Sequence, residues 1–244
     1  MQMDGILFID KPKGWTSFDV VAKVRGVLRS MQKEGKISTE QRVRVGHSGT
    51  LDPLATGLLV LLLGSYTKKA TQLTKLDKTY EVIMKLGETS TTGDAEGTIT
   101  TFNPQKIAHN TQLVKIGNKL PAVMDDFVGE IIQTPPAFSA LKVNGKRAYK
   151  MAREGKEVKL EPRKVQIYRI ELDKYEYPFI RFTTEVSSGT YIRSLVEDMG
   201  KHIGTGAYLS DLRRTKVGNF EISKAISMAK LSPKLIEKNL ETIE

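Results

Sequence analysis

The stretch Gly46-His47-Ser48-Gly49-Thr50-Leu51-Asp52-Pro53-Leu54-Ala55-Thr56-Gly57-Leu58-Leu59-Val60-Leu61-Leu62-Leu63-Gly64 decides how this chain is read. Its second half, Leu58 to Leu63, is a continuous apolar run closed by glycine. That is the pattern of a strand buried on both faces rather than one alternating between core and solvent. Its first half crowds glycine, proline, histidine and aspartate together, a composition for a tight, irregular loop. Asp52 precedes Pro53, which holds it in an extended or turn geometry. Two readings of Asp52 are open. It caps a short turn starting at Pro53, or it presents a carboxylate at the mouth of a cleft on a loop carried by a rigid strand. His47 is equally open, as a turn histidine bonded to backbone or as part of that cleft.

Outward from this stretch, strands and helices mix without a regular βαβ beat. Ile6 to Ile9 reads as a short buried strand stopped by Lys11-Pro12-Lys13-Gly14. Thr16 or Ser17 then caps a helix with Val20, Val21, Val24, Val27 and Leu28 at helical spacing. Gln32 to Arg44 reads as a polar surface connection, and Tyr66 to Leu76 as a short basic helix. Tyr80, Val82, Met84 and Leu86 alternate as a strand does. Ser90 to Gly97 is a loop, Gln112 to Met124 a helix broken at Pro121, and Phe127 to Gln133 a strand. Further strands are expected over Val165 to Leu172, Phe179 to Val186 and Tyr208 to Phe220. A helix capped by Ser188-Gly189-Thr190 buries Ile192, Leu195, Val196, Met199 and Ile203, and a short helix near Ser227 to Asn239 closes the chain. The expected class is α+β, a mixed, largely antiparallel central sheet flanked by helices and loops.

Composition narrows the function classes. With 39% hydrophobic and 27% charged residues the 244-residue chain is neither disordered nor fibrous. It has no cysteine, which removes disulfides, zinc ribbons, iron–sulfur clusters and thiol nucleophiles. Phosphate-loop and dinucleotide-binding glycine motifs are missing, and His47, His109 and His202 are scattered, so neither a metal nor another cofactor is expected. Leu58 to Leu63 is too short to span a bilayer, and Met1 to Asp4 does not open a signal peptide. The expectation is therefore a cytoplasmic protein. Its formal net charge of +10 points to nucleic acid rather than membrane.

Three further features carry chemistry. The segment Lys142 to Lys164 holds Lys142, Lys146, Arg147, Lys150, Arg153, Lys156, Lys159, Arg163 and Lys164 against Glu154, Glu157 and Glu161, with Phe138, Tyr149 and Tyr168 nearby. Cations with aromatics suit a nucleic-acid backbone. Arg193 falls in the first turn of a helix, where the macrodipole disfavours a cation, so it reads either as a solvated arginine or as one with a specific anionic partner. Tyr80 reads as a packed aromatic or as a platform for a base.

Taken in order, these segments resemble the pseudouridine synthases of the TruB family over nearly the whole chain. Lys11-Pro12-Lys13-Gly14-Trp15-Thr16-Ser17 looks like the family's opening motif, and Gly46 to Gly57 like its catalytic motif. Lys78-Thr79-Tyr80, Pro135 to Tyr149, Gly189 to Leu195 and Tyr208 to Thr215 follow in family order. The resemblance implies that Asp52 is the catalytic aspartate, Arg193 the arginine paired with it, and Tyr80 the tyrosine stacked on the target ring. It also implies that Leu212 packs near that ring and that His47 fills the space vacated by the flipped nucleotide. Lys11, Lys142, Lys146, Arg147 and Arg153 are expected to contact substrate.

The implied reaction converts the T-loop uridine at tRNA position 55 to pseudouridine by base flipping, with no cofactor. The implied partner is the tRNA T-arm, bound by a monomer with no obligatory protein partner and no membrane. Residues 1–225 are expected to form the catalytic domain, with 135–164 an inserted basic RNA-binding segment. Residues 226–244 are expected to be a short tail, leaving little room for the PUA-type domain of many bacterial relatives. The stretch Gln32 to Arg44 is longer than the family pattern. The rival readings are a non-catalytic tRNA-binding or RNA-chaperone protein of the same fold, the guide-RNA-dependent branch of the superfamily, and a hydrolase using His47 and Asp52.

Overall fold

The computed structural model describes residues 3–38, 43–102, 110–143 and 145–242. Part of the expected Gln32 to Arg44 connection, and His109, lie outside the described residues. The chain forms two compact units, Met1–Tyr80 with Arg213–Glu244, and Glu81–Leu212. In chain order the elements are β1 (Gly5–Lys11), α1 (Ser17–Lys33), β2 (Val45–His47), β3 (Thr56–Leu63), a 3-10 turn (Gly64–Lys69), α2 (Ala70–Thr74) and β4 (Lys78–Leu86). There follow β5 (Glu88–Ser90), β6 (Ile99–Thr101), α3 (Asn110–Asp125), β7 (Gly129–Gln133), β8 (Lys142–Val143), β9 (Lys146–Arg147), α4 (Ala148–Arg153), β10 (Arg163–Glu176), β11 (Phe179–Val186) and α5 (Ile192–Ile203). The chain returns to the first unit with the end of β12 (Ala207–Val217), then β13 (Phe220–Glu221), β14 (Ile226–Ser227) and α6 (Pro233–Asn239). The class is α+β with a mixed, mostly antiparallel sheet, as the sequence predicts.

In the first unit the strand order is β14-β1-β3-β12. β1 and β3 are antiparallel in continuous register from Gly5↔Leu63 to Lys11↔Gly57. Leu58 to Leu63 are all essentially inaccessible, which is why this strand is an unbroken apolar run. Leu58, Val60 and Leu62 pack with Ile6, Phe8, Leu73 and Val217 in one cluster. Thr16 caps α1 in a reciprocal box, its hydroxyl accepting from the Asp19 amide at 3.0 Å while its own amide donates to the Asp19 carboxylate at 2.9 Å.

The C-terminal stretch expected to be a tail beyond 225 belongs to this unit. β14 lies parallel to β1 with Ile9↔Ile226 and Asp10↔Ser227, Ile6 and Glu241 exchange main-chain hydrogen bonds, and Ile236 is buried. The helix expected from Ser227 is accordingly confined to Pro233–Asn239, because residues 226–227 are committed to the sheet. The basic helix expected over Tyr66 to Leu76 is a 3-10 turn followed by one turn of α2. The strand expected to reach Phe220 breaks at Gly218 (φ +53), which turns the chain back as β13.

In the second unit β11 and β7 flank β10 in antiparallel register. Gln133 at the end of β7 pairs with Arg163 at the start of β10, so residues 134–162 leave the sheet and rejoin it at one rung. The expected basic insertion is therefore an excursion from this sheet, bearing the β8–β9 hairpin and α4. The helix expected to break at Pro121 runs through it to Asp125. Pro121 costs the bond its missing N–H would make and crowds the carbonyl one turn back, and buried Leu120 and Met124 hold that turn by packing.

Candidate active site

The Asp52 loop fills a gap in the first unit's sheet. Along one side of β3, β2 covers Leu61 to Leu63 (His47↔Leu61) and β12 covers Thr56 and Gly57 (Arg213↔Thr56, Arg214↔Gly57). Residues 48–55 span the interval between. Two β3 carbonyls left open by this arrangement are met from elsewhere. Val60 O accepts from the Ser48 amide at 3.0 Å. Leu58 O accepts from Arg214 Nε at 2.8 Å, and the same guanidinium donates through Nη2 to Gly49 O at 3.2 Å. Arg214 is 1% exposed and stands in for a missing strand. Gly57 is required beside it. Its φ is +99, and a Cβ there would lie 2.3 Å from Arg214 O.

Other segments fasten the same loop. The Ser17 hydroxyl at the start of α1 accepts from the Leu51 amide at 2.8 Å and donates to Leu51 O at 3.0 Å. Pro53 O accepts from the Gly14 amide at 2.8 Å and from Lys11 Nζ at 3.4 Å. Asp52, half-buried, thus sits between two backbone clamps at 51 and 53. Such a loop is preorganised, the backbone on either side of Asp52 held in place before any substrate arrives.

Lys11 departs from expectation. The sequence places it among the substrate contacts, yet it is fully buried and its ammonium also donates to Trp15 O at 2.6 Å and Pro12 O at 3.0 Å. Three inward carbonyls replace water around the charge. Lys11 therefore binds the opening motif to the Asp52 loop rather than facing outward. His47 is largely buried, and burial, aided by the Arg214 cation, lowers its pKa from the usual histidine value, favouring the neutral ring. Tyr80 lies on β4, 8% exposed, two residues after the buried Lys78. Burial and then Arg214 pull the Lys78 ammonium down to about 8, and it donates to Thr74 O and Leu76 O.

Arg193 and Leu212 belong to the second unit, both at least nine-tenths buried. The expected Ser188-Gly189-Thr190 cap of α5 is replaced by Tyr191, with no side-chain cap. Gln133 does the work instead. It is fully buried, its amide oxygen accepts from the Tyr191 amide at 2.8 Å, and its amide nitrogen donates to Tyr191 O at 3.0 Å. Ser194 Oγ adds a bond to Thr134 O at 2.9 Å. This fixes the first turn of α5, from which Arg193 donates to Thr92 O at 3.1 Å and Phe138 O at 2.9 Å, with Asp94 Oδ2 3.7 Å away. Asp94 is thus one carboxylate beside the Arg193 guanidinium. It is itself held by the Thr92 hydroxyl and the Glu96 amide. Asp94 and Gln133 carry no sequence signal that separates them from ordinary polar residues, and Ser17 and Arg214, though inside two of the quoted motifs, carry none that assigns them to the Asp52 loop.

In the basic excursion, Lys156, Lys159 and Lys164 pair with Glu154, Glu157 and Glu130. Lys142, Lys146, Arg147, Lys150 and Arg153 are exposed and form no ion pair among the described residues. Arg153 lies over the Tyr149 ring, 5.7 Å from its centroid. Lys142, Lys146, Arg147 and Arg153 of the expected contact set are thus available to an anionic partner.

The family model described as TruB family pseudouridylate synthase (N terminal domain) matches residues 36–192. The chain belongs to the TruB family. The model of the tRNA pseudouridylate synthase B C-terminal domain matches residues 193–243. Among curated TruB proteins, the tRNA pseudouridine synthase B of Clostridium acetobutylicum is 43% identical over 242 residues, which is 99% of this chain and 77% of that protein. The one from Stutzerimonas stutzeri is 41% identical over 229 residues, 94% of this chain and 68% of that protein. Among solved structures, a Cbf5-Nop10-Gar1 complex is similar at TM-score 0.68 and 27% identity, covering 98% of this chain and 60% of that one. An H/ACA RNP bound to a substrate RNA containing 2′-deoxyuridine is similar at TM-score 0.63 and 28% identity, over 94% and 52%. This TruB chain thus spans between half and three fifths of those solved chains. Among its described residues no helix is long and apolar enough to cross a membrane.

Proposed function

We propose that this chain is a tRNA pseudouridine synthase that isomerises the T-loop uridine at position 55, in the cytoplasm and without a cofactor. The observation that carries the reading is the clamped Asp52 loop in a chain whose TruB relatives are named tRNA pseudouridine synthase B. In the reaction the N1–C1′ bond of uridine breaks and a C5–C1′ bond forms. A proton leaves C5 and N1 gains one, so atoms balance with no donor or acceptor from outside. Asp52, ionised, acts on the flipped nucleotide as nucleophile or proton acceptor. Arg193 supplies the cation that keeps it charged. Tyr80 and Leu212 receive the ring, returning part of the few kcal/mol that flipping costs. The buried, neutral His47 ring occupies the vacated space. The five exposed cations of the excursion take phosphates of the T-arm.

Asp52→Asn tests the reading. It keeps the shape of the side chain and its capping ability but removes the charge and the nucleophilic oxygen. Single-turnover pseudouridine formation should fall to background while filter binding of tRNA stays within a few-fold, because phosphate contacts dominate affinity. Substantial turnover by a folded Asp52→Asn protein would refute it. Binding without turnover by the unaltered protein would favour the non-catalytic tRNA-binding reading.

A further inference from the structure

A cleft lies in the first unit, on the flank of the Asp52 loop. Its volume is about 510 Å³, within the range of small-molecule sites, and it is lined by Asp10, Trp15, Lys23, Thr56, Arg213 and Ser227 among others. The function proposed above uses none of these side chains. All but Trp15 sit on elements already described. Asp10 and Ser227 are opposed on β1 and β14. Arg213 and Arg214 are adjacent on β12 and so point to opposite faces, Arg214 into the Asp52 loop and Arg213 into this cleft. Arg213 holds Asp10 in a two-pronged pair at 2.8 and 3.1 Å. Trp15 is seated by the buried Lys11, whose ammonium grips its carbonyl. Its indole N–H has no hydrogen-bond partner among the described residues, and the ring is half-buried. Lys23, one turn along α1 from Asp19, forms no ion pair among the described residues, because the Asp19 carboxylate is taken up by the Thr16 cap.

The charge in this cleft is uneven in a useful way. Asp10 and Arg213 cancel, and the Lys11 ammonium in the wall is buried against three carbonyls, so the exposed positive charge at the mouth is that of Lys23. The walls offer an aromatic face, a flat guanidinium locked in one plane, hydroxyls at Thr56 and Ser227, and one exposed ammonium. Those are the requirements of a mononucleotide unit: a ring to stack, an edge to hydrogen-bond and a phosphate to neutralise.

We propose that this cleft binds a single nucleotide, with Trp15 as the base platform and Lys23 as the phosphate partner. The nucleotide is either one belonging to the RNA substrate, a second base taken out of its stack beside the reacting uridine, or a free 5′-mononucleotide. The first source rests on the tRNA reading given above; the second does not.

Trp15 is the only tryptophan in the chain, so its emission reports this cleft alone. The protein is titrated separately with a T-arm stem-loop RNA and with AMP and GMP, while acrylamide quenching of Trp15 is followed. Stem-loop binding is expected to lower the quenching constant at least twofold. Trp15→Ala is expected to raise KM for the stem-loop about tenfold, the loss of one stacking platform, with kcat within twofold. Trp15→Phe should restore KM. Lys23→Gln should reduce the slope of log K against log salt by about 0.7–0.9, the value for one phosphate. Shielding by AMP or GMP but not by the stem-loop supports the nucleotide site and assigns it to the free ligand. Turnover of the stem-loop with Trp15 unshielded by any of the three probes overturns the proposal and leaves the synthase reading standing. Shielding by the stem-loop without pseudouridine formation does the reverse. A KM unchanged in a folded Trp15→Ala variant also overturns the RNA subsite. If that variant does not fold, shielding in the unaltered protein decides.

Discussion

Arg214→Met removes the guanidinium that completes the sheet beside the Asp52 loop while keeping the aliphatic stem. Two hydrogen bonds disappear, to Leu58 O at 2.8 Å and to Gly49 O at 3.2 Å. Each is made by a charged donor, and each leaves a buried carbonyl with one partner fewer, at ~1–3 kcal/mol apiece. Against this, the variant no longer buries a cation, which returns some desolvation energy. A net loss of ~2–4 kcal/mol is expected. For a protein of this size that lowers Tm by about 5–15 °C. Arg214→Lys, with a charge but no planar fork, should fall between.

Two further readouts distinguish a released clamp from general damage. With Gly49 freed, the loop carrying Asp52 gives up its fixed geometry, so kcat should fall more than about a hundredfold while tRNA affinity holds. The second readout is the titration of Lys78. Its ammonium is held at about 8 in the folded protein against 10.5 unfolded, so between those values the unfolded chain binds the extra proton and stability rises with pH. Removing Arg214 removes the second of the two causes of that depression, so the rise should be smaller and begin at higher pH. Calorimetry from about pH 7 to 10.5 and single-turnover kinetics make the test. A Tm within about 2 °C of the original together with kcat within twofold would show that Arg214 clamps nothing.

Gly57→Ala puts a methyl 2.3 Å from Arg214 O at φ +99, so thermal melting should show a loss of several kcal/mol or an insoluble protein; a near-unchanged Tm would mean the β3–β12 approach is looser than described. His47 has a depressed pKa, so the unfolded chain gains its proton first as pH falls. Its contribution should be complete above about pH 6.5 and fade below it, and His47→Gln should flatten the Tm profile between about pH 7 and 5. Neutralising Lys146, Arg147 and Arg153 together should weaken tRNA binding and flatten the salt dependence by about 0.7–0.9 for each phosphate no longer neutralised; an unchanged slope would leave the excursion as solvated surface.

How much of this the sequence discloses depends on the range over which each feature is determined. β3 and β4 are legible because burial on two faces or one leaves a local mark, a continuous apolar run or an alternation. The cap of α1 is legible to within one residue, Thr16 or Ser17, because it is set inside the four residues from Thr16 to Asp19. Lys11 is not, since a lysine after a strand reads as exposed and one of its acceptors, Pro53 O, lies 42 residues on. Arg214 stands beside Arg213 with nothing local to tell them apart; strand alternation sends one to a carboxylate and the other to two carbonyls. The true start of α5 escapes the sequence for the same reason, because Gln133 is 58 residues from the Tyr191 it brackets. Pro121 misleads in the opposite direction, a strong local signal outweighed by packing on either side of it.

The first unit is discontinuous in sequence, and that has a consequence for the timing of synthesis. The Asp52 loop leaves the ribosome early, but Arg214 follows Gly49 by 165 residues. At roughly 5–20 residues per second the wait is about 8–33 seconds. During that interval β3 has neither β12 nor Arg214 beside it, and its Leu58 carbonyl faces whatever surrounds the nascent chain. An apolar strand with an open edge is prone to pairing with other chains. The second unit is synthesised entirely within the interval. A truncated product ending before residue 213 would therefore release the Asp52 loop without its plug, giving an aggregation-prone fragment rather than a weakened enzyme.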